Sequence, residues 1–160
     1  MATINTLDLK FFVANAVSEV FDTMLSLEIE AIDADSRENL DGNRIVGSVS
    51  FVGEVMGSVN IQVNDAFAHI MTAAMLGMEV EEIDGDEEVY DVIGEMSNML
   101  GGDLKSRLCD AGLPCELSIP SVMSGSDYKI ESFKWSRHER FAFQHKQYTI
   151  LVEVYIKTDS

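Results

Sequence analysis

The chain has 160 residues, 46% hydrophobic and 8% aromatic, which is enough apolar surface to close one compact domain over residues 1–160. Against 28 Asp and Glu stand 11 Lys and Arg, and a net charge of -17 with no basic stripe argues against nucleic acid or an anionic membrane as partner. No run reaches the roughly 18 apolar residues that span a bilayer, and "MATINTLDLKFFVANAV" lacks the basic start and cleavage site of a signal peptide, so a cytoplasmic location is expected.

Val13, Val17, Val20 and Met24 fall on one helical stripe and predict a first helix over 8–24. "IVGSVSFV" and "VMGSVNIQV" alternate apolar with polar residues and predict two half-buried strands joined by a hairpin near Gly53. Asn64 or Asp65 caps a second predicted helix, "AFAHIMTAAMLG", which Gly77 ends. The acidic run "EVEEIDGDEEVYD" lacks the ligand positions of a calcium loop and reads as a helix start, with Asp84 and Glu87 at capping-box spacing.

A long amphipathic helix follows, carrying "EVYDVIGEMSNMLGGDLKSRL". Beyond it "CELSIPSV", "YKIESFKW", "RFAFQ" and "YTILVEVYIK" read as strands. The last alternates Tyr148, Ile150, Val152, Val154 and Ile156 with Thr149, Glu153 and Lys157, and is expected to lie at a sheet edge, covered or paired with another chain. The sum is an α+β fold: a mostly antiparallel sheet of about six strands with amphipathic helices packed on it.

"NAVSEVFDTML" in the first helix aligns without gaps on "DVIGEMSNML" in the later one, so that Asn15, Glu19 and Asp22 correspond to Asp91, Glu95 and Asn98. Each helix precedes strand-rich sequence, as in a duplicated half. The thiols Cys109 and Cys115 and the histidines His69, His138 and His145 have no zinc-ligand spacing and no disulfide framework, and no metal site is expected.

On the later helix Asp91, Glu95 and Asn98 stand at i, i+4 and i+7, with Gly101 and Gly102 continuing that side, while Val89, Val92, Ile93, Met96, Leu100, Leu104 and Leu108 form the apolar side. Spacing alone fits a solvated stripe or a break at "GGD" where Asp103 caps a new turn. It also fits a contact surface, since Gly94, Ser97, Gly101 and Gly102 admit another backbone. No Ser-His-Asp set, paired carboxylates or phosphate-cradling loop accompanies the Glu and Asn. Any chemistry they serve is completed by a partner.

"GSVSFVGEVMGSVNIQV", "MLGMEVEEIDGDEEVYDVIGEMSNMLGGDLKSRL" and "LSIPSVMSG" together resemble the CheX branch of the CheC, CheX and FliY phosphatases of bacterial chemotaxis. The motif of that family is Asp or Ser, three residues, Glu, two residues and Asn, with a proline a little over twenty residues later. Asp91, Glu95, Asn98 and Pro120 match it. The resemblance implies that the substrate is the phosphorylated receiver domain of a CheY-type response regulator. No cofactor is then bound by this chain, and Mg2+ is expected in the receiver's own site.

The resemblance further implies that Asn98 positions the attacking water and that Glu95 docks on the receiver's active-site lysine, with Asp91 supporting the helix or interface. Asp22 stands where a second Asn would be, so the first-helix copy is expected to be inactive. A homodimer through sheet edges is also implied. The alternative is a non-catalytic receiver-binding adaptor in chemotaxis or flagellar signalling. An acidic structural dimer with no receiver partner is a third reading.

Overall fold

The computed structural model describes residue 4 and residues 6–33, 42–125 and 137–158. The Asp8 carboxylate accepts from the Phe11 N–H at 3.1 Å and starts α1 (Leu9–Val20). The predicted first helix does not stay α-helical to its end: a π turn, Phe21–Leu25, takes over and closes on Ser26 in the left-handed region, φ 53°. A short β1 (Glu30–Ile32) follows.

β2 (Arg44–Gly53) and β3 (Val55–Asn64) form the predicted hairpin, antiparallel from the Arg44–Asn64 pair to the Phe51–Gly57 pair. Asn64 Oδ1 accepts from the Phe67 N–H at 2.8 Å and caps α2 (Asp65–Leu76), and Gly77 ends it in the left-handed conformation, φ 68°.

The capping box of the acidic run lies elsewhere than predicted. Glu79 and Glu82 form it, around a single 3-10 turn (Val80–Glu82), and the Glu79 N–H donates to Glu82 Oε1 at 2.9 Å. α3 (Glu87–Asp110) begins after Asp86, which makes no side-chain cap; Glu87 and Glu88 supply first-turn negative charge in its place. α3 continues unbroken through Gly101 and Gly102, and Asp103 pairs with Arg107 at 2.7 Å rather than capping a new turn.

The predicted strand over 115–122 is two strands, β4 (Cys115–Leu117) and β5 (Ser121–Gly125), interrupted by the Ser118–Pro120 corner. β6 (Arg137–His145) and β7 (Tyr148–Thr158) bring the sheet to seven strands among the described residues, and the predicted strand "YKIESFKW" lies outside them. The order is β1-β6-β7-β3-β2-β4, with β5 also paired to β2, and every pairing is antiparallel. Exchanging β1, β2 and β3 for β4, β6 and β7 reads the same order backwards, with α1 exchanged for α3. The pseudo-duplicated halves meet where β3 pairs β7.

β7 is therefore not an edge. It lies between β6 and β3, and Ile150, Leu151, Val152, Val154, Tyr155 and Ile156 are all buried. The polar residues expected to face water are buried too, Gln62 to 4% and Glu153 to 5% exposure. They share a network: Gln62 Nε2 donates to Glu153 Oε1 at 2.8 Å, and the Tyr155 hydroxyl donates to Glu153 Oε2 at 2.8 Å. His138 Nε2 lies 2.9 Å from the same oxygen. Hydrogen bonding satisfies polar groups that local alternation assigns to solvent.

The opposite face of the sheet carries the core. α1, α2 and α3 pack there on Ile45, Val49, Phe51, Val59, Ile61, Val152 and Val154.

Candidate functional site

The whole predicted apolar side of α3, from Val89 to Leu108, is buried against the sheet, α1 and α2. Burying seven such side chains at about 1.5–3 kcal/mol each fixes the rotation of the helix firmly. Asp91, Glu95 and Asn98 are held outward as a consequence, and all three are exposed. None of them hydrogen-bonds or ion-pairs with another described side chain, so a carboxylate and an amide one turn apart are free for an incoming group.

Of the two flanking glycines, only Gly102 lies on this stripe, with open space where a Cβ would project. Gly101 is corrected to the sheet side: it is buried, and a Cβ there would lie 2.4 Å from Val49 Cγ2. At about 100° per residue, Gly101 is roughly 80° round the cylinder from Asp91 and Gly102 only roughly 20°.

The corner after β4 flanks the stripe. A Cβ on Gly94 would sit 3.4 Å from Val122 Cγ2 and 3.9 Å from Pro120 Cγ, so the motif proline packs beside the residue that precedes Glu95. The Tyr90 and Ser124 hydroxyls, 2.6 Å apart, tie the same helix to β5 one turn earlier. Sequence reasoning missed this tie, and no local pattern announces it. It also passed over Gly47, whose place inside a strand is the usual sign of a close backbone approach.

The first-helix copy is built differently. Glu19 ends the α-helical part but for Val20, and Asp22 lies in the π turn, so the two are no longer one α-helical turn apart. With Asn15 they line a cleft of about 710 Å3 that also takes in Arg107, His145 and Lys146. Arg107 is held there by Asp103 and by the Phe12 ring, 5.9 Å from the guanidinium carbon.

Among the described residues no group of three or more His, Cys, Asp and Glu side chains is arranged to hold a metal ion. Cys115 is buried, and burial pushes its thiol up to about 11, away from reactivity at neutral pH. The Lys105 ammonium is shifted up by its hydrogen bond to Glu116 Oε2, 3.1 Å away on the surface. No helix among the described residues is long and apolar enough to cross a membrane.

The described residues form an α+β domain, a single antiparallel sheet made of two matching halves with one long helix presenting Glu95 and Asn98 to solvent. The family model described as chemotaxis phosphatase CheX matches residues 45–144, well over half of the chain. The chain belongs to that family. The matched span runs from β2 into β6 and includes Glu95, Asn98 and Pro120, while α1 lies before it.

The CheY-P phosphatase CheX of Thermotoga maritima is 33% identical over 90 residues, 56% of this chain and 57% of that protein. The chain thus matches less than two thirds of the length of this relative. The crystal structure of chemotaxis protein CheX from Vibrio vulnificus is similar with a TM-score of 0.79 at 24% identity, covering 94% of this chain and 97% of that one. A chain of the CheX-CheY-BeF3-Mg2+ complex from Borrelia burgdorferi is similar with a TM-score of 0.70 at 21% identity, covering 94% and 98%. These two likenesses concern the fold.

Proposed function

We propose that this chain is a phosphatase that hydrolyses the aspartyl phosphate of a CheY-type receiver domain. The observation that carries the reading is the pair Glu95 and Asn98, unpartnered among the described residues and held outward by a helix buried along its other side. Transfer of a phosphoryl group through a loose transition state needs positioning and charge stabilisation more than covalent chemistry from the protein. An amide suits that role. It offers a donor and an acceptor in one plane and stays neutral beside a dianion, so Asn98 holds a water in line behind the phosphorus.

Glu95 docks on the lysine of the receiver's active site, where opposite charges attract across a closing interface. Asp91 and the bare surface at Gly102 flank the contact. Phosphoryl group and Mg2+ come with the receiver, in keeping with the Borrelia complex, whose named components are CheX, CheY, BeF3 and Mg2+. The same reading places the chain in the cytoplasm, beside its substrate. A homodimer forms through the outer strands of the sheet, β1 or the β4–β5 side, because β7 is inside.

The test is the lifetime of the phosphoryl group on CheY-type receivers with Mg2+, comparing no addition, wild type and Asn98→Ala. Shortening by wild type alone is expected. No shortening by wild type, with phosphorylation-dependent binding retained, points instead to the non-catalytic adaptor.

A further inference from the structure

Two glycines lie where α3 crosses β2, and neither is called for by its own backbone. Gly47 is inside a strand, with a φ that other residues adopt, and Gly101 is inside a helix, where glycine costs about 1 kcal/mol relative to alanine. Space explains both. A Cβ on Gly47 would lie 2.0 Å from Ser97 Oγ, 3.0 Å from Ile93 Cγ2 and 3.2 Å from the Ile93 carbonyl oxygen. One turn further along the helix and two residues further along the strand, a Cβ on Gly101 would lie 2.4 Å from Val49 Cγ2.

Ser97 has little freedom to yield. It is 1% exposed, and its hydroxyl donates to the Ile93 carbonyl at 2.8 Å, so that a methyl at 47 meets both members of that bond. The residues adjoining this contact in the helix are the ones that face out: Asn98 follows Ser97 directly, and Glu95 is two residues before it. Whatever lifts Ser97 off β2 carries the amide of Asn98 with it.

We infer that Gly47 and Ser97 are a positioning pair: their contact sets how far α3 stands from the sheet and thereby how far Asn98 reaches toward the receiver's phosphoryl group. This rests on the phosphatase reading for its functional half. Neither residue touches the substrate. Their effect passes through the height of the helix, and a misplacement of about 1 Å can cost on the order of a hundredfold in rate.

The experiment compares wild type, Gly47→Ala and Gly47→Ala/Ser97→Ala in kcat and KM on a phosphorylated receiver, with folding followed by circular dichroism. Gly47→Ala is expected to lower kcat by about ten- to a hundredfold while KM stays within about twofold. Removing the Ser97 hydroxyl takes away the 2.0 Å contact, so the double variant is expected to regain much of that loss. Full kcat in folded Gly47→Ala overturns the inference, and so does a double variant no faster than the single one.

Should Gly47→Ala not fold, Gly101→Ala paired with Val49→Ala tests the same height one turn on. If wild type itself dephosphorylates no receiver, the phosphatase reading fails separately. The spacing is then read from crystal structures. A shift of α3 in Gly47→Ala that the second change reverses supports the pair, and an unmoved helix overturns it.

Discussion

Helices α1 and α3 hold corresponding places in the two halves of the sheet, and Glu19 and Glu95 correspond on them, yet the helix is built differently around each. Through α3 the α-helical spacing runs unbroken past Asn98, and the whole polar stripe faces out. In α1 the change to a π turn falls at Phe21, between Glu19 and Asp22, and Phe21 is buried at 1% exposure. Glu19 and Asp22 are exposed as well, but they line a cleft with Arg107 and Lys146. What the comparison teaches is that a match of letters between two halves does not carry the α-helical spacing with it. α1 keeps the glutamate but has neither the asparagine nor the α-helical turn after it.

The sharpest way to test that difference is to give α3 the residue of α1. Asn98→Asp puts a carboxylate against a dianionic phosphoryl group, and dephosphorylation should fall at least as far as in Asn98→Ala, about two to three orders of magnitude. Receiver phosphoryl lifetimes with each variant measure it. An active Asn98→Asp would mean that the position does not meet the phosphoryl group at all. Glu95→Ala comes next. Loss of a charge that pairs across the interface is expected to weaken docking and lower kcat/KM by about tenfold or more, with Glu19→Ala unchanged. Titrating the rate against receiver concentration separates the two, and equal effects from both glutamates would place docking on the wrong helix.

Much of α3 was legible in the sequence, because one long amphipathic period fixes both faces at once: Val89, Val92, Ile93, Met96, Leu100, Leu104 and Leu108 are buried, and Asp91, Glu95 and Asn98 are exposed. Gly101 was misplaced by a rotation of only about 80°, which a stripe read by eye does not resolve. The position of β7 was not legible. Its Thr149 and Glu153 look like a solvent face, and only contacts from β3 and β6, through Gln62 and His138, make that face an interior one. Strand order is a non-local property. The π turn at Phe21 and the shift of the capping box to Glu79 and Glu82 escaped for the opposite reason, since several local solutions fit the same residues.

Chemistry separates the two thiols near the end of α3 in a way that checks the packing around the site. Burial raises Cys115 from 9.0 to about 11, so at pH 8 its reactive thiolate is about a hundredfold scarcer than for an unshifted thiol. The sign follows from the neutral form being favoured in the fold. Stability is unaffected below pH 9 and declines as the pH rises from 9 toward 11, where the unfolded thiol ionises first. Iodoacetamide at pH 8 should modify partly exposed Cys109 well before Cys115, as peptide mass mapping would show. Rapid labelling of Cys115 in the folded protein would mean that β4 does not seal against α3.

The smallest expected effect is the most discriminating. Asp22→Asn restores to α1 the letter it lacks, and if letters alone made a site, the change would add a second one. The π turn argues otherwise, because the amide would still not stand one α-helical turn from Glu19, and the nearby Arg107 and Lys146 give it a different surface. In an Asn98→Ala background, Asp22→Asn should therefore raise dephosphorylation less than about twofold, since a group off its reactive geometry loses the benefit of positioning. A larger gain would mean that the first helix tightens to α when a receiver docks. Only the residue at position 22 would then divide the two halves.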